Sequence, residues 1–448
     1  MSRSIPSAPT QRSDLEARAA FALEHAKRLG ASEAEVGVTF DTGLSVTARL
    51  GEVETLEYTR DRGLGVTVYR GRRKGSASTA DLDEPAIRAT VEKAYSIAGF
   101  TAEDPCSGLP DAAMLATEVP DLDLSHPWDI EPDEARDLAI ACERAALEAD
   151  PRITNSEGAT LSTHRSCRVL GNSLGFLEGY ASTGHTLSCV VVAQQGEDMQ
   201  RDYWYGTSRD WRDLDAATSI GERAAQRALR RLGARKLATT RAPVLFVPEL
   251  ARGLIGHFIG AIRGSSQYRR ASFLLDAAGQ QVFPAWLRIS ERPHLRKALG
   301  SAPFDSEGVR TTDRELVDAG VLTGYVLGTY SARKLGLATT GNAGGVHNLI
   351  VAPGDLDFAG MLETMGRGFV VTELMGQGVN GVTGDYSRGA AGFWVEGGRI
   401  AYPVHEVTIA GNLREIYAAV DAVGNDVDAR GGIRTGSILV REMTIAGD

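Results

Sequence analysis

From Leu15 to Leu29 apolar residues return at helical spacing: Leu15, Ala19, Ala22, Leu23, Ala26 and Leu29 share one face and Gly30 ends the run. Ser13-Asp14-Leu15-Glu16 fits a capping box at its start. Short alternating runs follow at Glu35–Phe40, Leu44–Leu50, Leu64–Tyr69 and Ser76–Ala80, with a turn at Gly71–Gly75. A second helix is expected over about Glu84–Gly99. Pro105, Pro110, Pro120, Pro127 and Pro132 then mark a linker, after which the order repeats. Helix is predicted at Pro132–Glu148, strands at Thr160–Leu170, Phe176–Tyr180 and Thr186–Gln194, and helix at Asp213–Leu232, stopped by Gly233. Two successive α-β-β-β-α units read as a diverged duplication, although no local sequence repeats.

Beyond this the pattern changes. Val244–Val247 is a short apolar strand, Pro248 opens a helix, and Glu249–Ile262 continues it with Gly253, Gly256 and Gly260 along it. From about Gly308 onward alternating segments are separated by glycine-rich turns at Gly344-Gly345, Asn380-Gly381 and Gly397-Gly398, so this part is mostly β. The fold class expected is α+β: an N-terminal α/β region followed by a β-rich C-terminal domain with flanking helices. The expected divisions are a flexible tail at 1–12, an α/β unit at 13–100, the proline-rich linker at 101–131, a second unit at 132–236 and the C-terminal domain at 237–448.

Charge sharpens the last boundary. Residues 1–240 hold 28 basic and 37 acidic side chains, whereas 241–448 hold 20 and 21 together with 32 of the 51 glycines. A net charge of −10 argues against nucleic acid or anionic lipid as a partner, since either needs clustered cations. No run of the roughly 18 apolar residues needed to span a bilayer occurs. Residues 1–13 are polar, with no apolar core of a signal peptide. Four scattered cysteines, Cys106, Cys142, Cys167 and Cys189, form no disulfide framework. A reducing, cytoplasmic location is the expectation.

Three catalytic motifs fail on context. Gly376-Gln377-Gly378-Val379-Asn380-Gly381 matches GxGxxG, but Val382-Thr383-Gly384-Asp385-Tyr386 continues as loop or strand where a dinucleotide site requires a helix. Gly171-Asn172-Ser173-Leu174-Gly175 matches GxSxG between two strands, which makes it a hairpin turn and not a nucleophile elbow. Ser331-Ala332-Arg333-Lys334 matches SxxK without companion motifs and reads as a basic helix end. No two of the eight histidines sit on one helical face, so the residues themselves suggest no zinc site. Asp385 and Glu396 lie in glycine-rich β structure, where carboxylates mostly satisfy turn amides.

The densest feature runs from Val371 to Asn412, with many glycines beside Tyr386, Phe393, Trp394 and Tyr402. Glycines so placed suit a barrel with tight strand corners, or a surface that another main chain approaches. Here the sequence resembles the TldD/PmbA family, specifically its PmbA (TldE) branch. The resemblance extends to Tyr268-Arg269-Arg270-Ala271-Ser272-Phe273-Leu274-Leu275-Asp276, to Pro303–Arg310 and to Tyr330–Leu337, and covers the chain from about Ser13 to its end. It implies a cytoplasmic, heterodimeric zinc metalloprotease acting on peptides and unfolded segments. In the TldD partner an HExxxH helix and a Cys hold zinc, and the Glu activates the metal-bound water. In this sequence Gly256 and Ala261 stand at the two His positions, His257 at the Glu, and Thr435 near the Cys. The resemblance therefore implies a chain with no metal or catalytic residue of its own, supporting a TldD-like subunit that carries the zinc. Tyr268, Arg269, Arg270, Glu373, Asp385 and Arg388 are the expected substrate or partner surface, with intrachain ion pairing as the competing reading. The resemblance leaves two further readings open, a homodimer when the partner is missing and a gyrase-modulating binding protein acting through a protein partner.

Overall fold

The computed structural model describes residues 12–447, so the expected tail falls outside it except for Arg12. Helix α1 (Arg12–Arg28) is followed by three strands, β1 (Glu33–Arg49), β2 (Glu52–Arg70) and β3 (Arg73–Thr79), and by helix α2 (Glu84–Phe100). The order returns as α3 (Pro132–Glu148), β4 (Ile153–Asn172), β5 (Leu177–Gln195), β6 (Asp198–Ser208) and α4 (Ala217–Arg230). The two units share one six-stranded antiparallel sheet in the order β3-β2-β1-β4-β5-β6, joined through their first strands. Val36 and Val38 of β1 pack under α1 and α2, while Leu44 and Val46, on the same face of that strand, pack under α3 and α4. All four helices therefore cover one face.

The strands are longer than their hydrophobic pattern suggests. Polar residues around Asp41–Gly43 and Ala181–Gly184 read as breaks, yet both stretches run on as strand. Gly43 is paired with Thr59 on one side and His164 on the other, so the ladder holds it extended. On the helix-free face hydroxyls face each other across strands, Ser45 with Ser162 at 3.0 Å and Thr47 with Thr160 at 2.9 Å. The expected capping box does not form. Ser13 lies within α1, and the Glu16 carboxylate accepts from Arg12 instead of a backbone amide. Helix α4 starts four residues later than expected, after a short 3₁₀ turn at Trp211–Asp213 capped by Asp210.

The proline-rich stretch from Thr101 to Glu131 is packed against the rest of the chain. Leu109, Leu115, Leu122, Leu124 and Ile130 are buried in it. Leu115 and Ala116 join Leu170, Phe176 and Phe304 in a cluster on the helix-free side of the sheet. Arg333 donates to the carbonyl oxygens of Gly108 and Leu109, and Lys334 lies 3.0 Å from Asp104, so the basic end of the SxxK helix ties this stretch down.

The C-terminal part contains β7 (Thr240–Phe246), α5 (Pro248–Ile262), α6 (Gly264–Tyr268), β8 (Ile289–Glu291), β9 (Arg314–Asp318), β10 (Val321–Leu322), α7 (Thr329–Leu335), β11 (Leu349–Val351) and α8 (Phe358–Met365). It continues through β12 (Gly368–Met375), β13 (Asp385–Glu396), β14 (Arg399–Asn412), α9 (Leu413–Ala418), β15 (Val420–Val423), β16 (Ile433–Arg434) and β17 (Ile438–Ala446). One sheet runs β14-β13-β12-β7-β17-β15, and β14 also pairs with β17 over Thr408–Ala410, so the sheet curls back on itself. Gly392 permits the sharp corner: a Cβ there would lie 1.8 Å from the Val370 carbonyl oxygen. Strands β7 and β12 pair in parallel, and helix α5, which follows β7, packs its apolar face into the main core. A smaller sheet has the order β10-β9-β8-β11-β16.

The other motifs settle as local structure. GxSxG is the β4–β5 turn, with Gly175 at φ +95°. GxGxxG is a loop between β12 and β13 with no helix after it, and Gly378 is required because a Cβ would sit 1.9 Å from the Ser387 carbonyl oxygen.

Candidate functional site

Helix α5 starts at Pro248, whose missing N–H costs nothing in the first turn, and its core face is Leu254, Ile255, Phe258, Ile259, Ala261 and Ile262. Gly253, Gly256 and Gly260 lie on the opposite side, where an added Cβ would meet nothing. His257 is half-buried beside them. Its ring meets the edge of Tyr386 at 6.1 Å, and desolvation, followed by the field of Arg388, holds its pKa below the usual histidine value. Burial pushes the Tyr386 hydroxyl up to about 12. Both rings are therefore neutral at pH 7.

The C-terminus of α5 is capped by side chains of the segment that follows it. Gln267 Nε2 donates to the Ala261 carbonyl oxygen at 2.8 Å, Ser272 Oγ donates to the same oxygen at 2.7 Å, and Ser266 Oγ donates to Gly260 at 2.8 Å. The family-like segment around Tyr268–Asp276 thus has a structural task.

Zinc chemistry can be tested against this helix. Gly256 has no side chain, Ala261 offers a buried methyl group, and the fully buried Thr435 Oγ1 donates to the Gly436 carbonyl oxygen at 3.0 Å. These three positions supply no imidazole, thiolate or carboxylate, so they do not fit a zinc ion. Among the described residues no group of three or more His, Cys, Asp or Glu side chains is arranged to hold a metal.

The six expected surface residues fall into three places. Tyr268 sits edge-on to Tyr330 at 5.8 Å with the Arg269 guanidinium over its ring, and Arg270 lies 3.7 Å from Asp276. Tyr268 and Tyr330 line a cleft of about 330 Å³ with Arg263 and Glu307. Asp385 and Arg388 lie on β13 on either side of Tyr386. Asp385 accepts from Thr383 Oγ1 at 2.6 Å, and the Arg388 Nε reaches the Met375 carbonyl oxygen at 3.4 Å. Glu373 stands apart, in an ion pair with Arg231, which also contacts Asp202 at 3.5 Å. It fastens β12 to the end of α4. The competing ion-pair reading thus describes Glu373 and Arg270. Glu396, the other carboxylate of the glycine-rich region, accepts from the Trp394 indole N–H at 3.1 Å.

One residue near the helix, next to Thr435 at the Cys position, is given no role by the sequence reading. Arg434, on β16 packed against α5, is half-buried, its Nε has no hydrogen-bond partner, and desolvation lowers its pKa. Among the described residues no carboxylate forms an ion pair with it. Its only sequence signal was adjacency to Thr435.

Comparison with known proteins agrees along the whole chain. Three PmbA/TldD family models match: PmbA/TldA metallopeptidase domain 1 over residues 34–98, the central domain over 125–232 and the C-terminal domain over 239–447. Metalloprotease PmbA of Escherichia coli O157:H7 is 53% identical over 444 residues, covering 99% of this chain and 98% of the relative. A crystal structure from Bacteroides thetaiotaomicron, described as a candidate modulator of DNA gyrase, superposes with a TM-score of 0.92 at 29% identity, covering 97% of this chain and 99% of that one. TldE from Thermococcus kodakarensis shares the fold, with a TM-score of 0.83 at 20% identity over 95% of this chain and 99% of that one.

Proposed function

Because this chain belongs to the PmbA/TldD metallopeptidase family, we propose that it is the non-catalytic subunit of a two-component cytoplasmic zinc metalloprotease. The zinc and the water-activating glutamate reside in a TldD-like partner. This chain completes the chamber and helps hold an extended peptide or unfolded segment. What supports the reading is helix α5: by the family resemblance, Gly256, His257 and Ala261 stand where a family protease needs His, Glu and His, with Thr435 near the Cys position, and Gly256, Ala261 and Thr435 offer no imidazole, thiolate or carboxylate. A water molecule cannot be activated there as it is on a bound metal.

The glycine face of α5, with His257 and Arg388 beside it, is an open strip of backbone suited to a neighbouring main chain. The test is reconstitution. The purified chain should leave an unfolded protein substrate intact, and adding a TldD-like subunit should produce cleavage that a chelator abolishes. Cleavage by this chain alone would overturn the reading.

A further inference from the structure

A cleft of about 580 Å³ opens between α4 and the C-terminal sheet. Sites for small organic ligands fall in this range, roughly 300–1,000 Å³. Arg223, Arg227 and Arg230 of α4 line it, together with Arg430 from the loop between β15 and β16. The i, i+4, i+7 spacing puts the first three on one face of the helix.

The four arginines are not equivalent. Arg227 pairs with Asp202 at 3.1 Å and Glu249 at 3.4 Å. Arg430 pairs with Asp428 at 2.9 Å and donates to the Tyr205 carbonyl oxygen at 2.6 Å. Arg223 and Arg230 have no hydrogen bond or ion pair among the described residues. Each lies instead over a buried ring. The Arg223 Cζ is 3.9 Å from the Trp204 ring centroid, and the Arg230 Cζ is 4.9 Å from that of Phe393. An aromatic face positions a guanidinium without using any of its N–H donors. Two forks are therefore placed with their hydrogen-bonding edges free, on backbone positions about 10 Å apart along the helix.

The rest of the lining suits an apolar body. Val247, Val370 and Phe393 belong to the cluster under α8, and Val427, 39% exposed, stands beside them in the cleft. Thr372, the extra residue of a bulge in β12, also lines it, and its buried Oγ1 has no hydrogen-bond partner. Most lining carboxylates are already engaged: Glu249 and Asp428 by the paired arginines, and Asp426 by the Ser437 N–H at 2.8 Å and Oγ at 2.7 Å. Asp215, exposed, forms no ion pair among the described residues and opposes an anion beside it.

We propose that this cleft binds a small organic anion with an apolar body, its carboxylate or phosphate oxygens taken by Arg223 and Arg230 and its body lying against Val370, Phe393 and Val427. Both headgroups share this chemistry, since each accepts two parallel N–H bonds from one guanidinium. The cleft touches α5 only at Pro248 and Glu249 in its first turn, so binding there neither requires nor tests the catalytic assignment.

Isothermal titration calorimetry of the full chain tests it, with decanoate and decyl phosphate as probes. At least one should bind, and the tighter of the two identifies the headgroup. Decyltrimethylammonium, with the same chain and the opposite charge, should not bind, and inorganic phosphate should bind at least tenfold more weakly than the better probe. R223Q and R230Q should each weaken that probe about tenfold, as loss of a charge-assisted fork implies. R223K, which keeps the charge without the fork, should recover part of the loss. D215N should strengthen binding several-fold. The probe should raise the melting temperature of the wild type and not of R223Q/R230Q, whose own melting in its absence reports whether folding is intact. No binding of either decyl anion would overturn the proposal. So would equal binding of decyltrimethylammonium or inorganic phosphate, or an affinity unchanged in either R223Q or R230Q.

Discussion

The two large sheets bury their backbones in different ways. In the N-terminal sheet the helices approach through small residues: Ala19, Ala22, Ala94, Ala135, Ala139, Ala224 and Ala228 are all fully buried. Contact there is nearly backbone to backbone, and a Cβ on Gly221 would lie 2.0 Å from the Cys142 carbonyl oxygen. The C-terminal sheet is buried on both faces, with Phe246 in the main core and its neighbour Leu245 in a second cluster under α8. Its core is aromatic, including Trp394, Tyr417, Phe258, Phe283 and Phe369. Of the glycines there, Gly392 sits at a corner, Gly256 on an open surface and Gly264 against Ser331. One residue type thus marks contact between helices at Gly221, a corner at Gly392 and an open surface at Gly256.

Substitutions separate these uses, beginning with the largest effect. Tyr417→Ala should cost about 3–5 kcal/mol in chemical denaturation, because a fully buried ring packed on Phe258 and Phe283 leaves a cavity. The loss also strands the Leu254 carbonyl oxygen, to which the Tyr417 hydroxyl donates at 2.9 Å. Gly221→Ala should cost about 1–3 kcal/mol by forcing α3 and α4 apart. Gly256→Ala, on the open face of α5, should be neutral or stabilise by up to about 1 kcal/mol, since alanine fits the space and favours helix. A strong loss at Gly256 would erase the distinction between contact glycines and open ones.

A smaller effect is electrostatic. Asp210 joins the end of β6 to the C-terminal part through Lys297 at 2.7 Å and also pairs with Arg212. Its hydrogen bond with Arg212 is the main reason its pKa is depressed, against desolvation. A depressed carboxylate contributes stability above its unfolded pKa of about 4 and loses it as pH falls through the folded value. His185, buried against Thr163 and the His126 carbonyl oxygen, is also depressed, chiefly by desolvation. It adds stability above the unfolded histidine value of about 6.5 and loses it below. The melting temperature should therefore fall in two steps on acidification, and Asp210→Asn should flatten the lower one. An unchanged lower step would place the acid sensitivity elsewhere.

Much of the fold could be read from local chemistry. Helices α3 and α5 begin at Pro132 and Pro248, as their prolines indicate, and the failed GxGxxG and GxSxG motifs were legible because each lacked the helix its chemistry requires. The long strands were not legible. Asp41–Gly43 is polar, and only pairing on both sides by residues distant in sequence keeps it extended. The Ser13 cap failed because a neighbouring arginine competed for Glu16. The proline-rich stretch looked like a linker because its partners, Arg333 and Lys334, lie more than 200 positions away. At the candidate site α5 was legible and its environment was not: the capping by Gln267 and Ser272, the Tyr386 ring and Arg434 all converge through tertiary packing.

The most direct measurement is the zinc content of the purified full chain, by elemental analysis after growth in zinc-replete medium and gel filtration, alone and in complex with a TldD-like subunit. The account predicts no stoichiometric zinc in the chain alone and one zinc per complex. One zinc per isolated chain, retained through gel filtration, would contradict it.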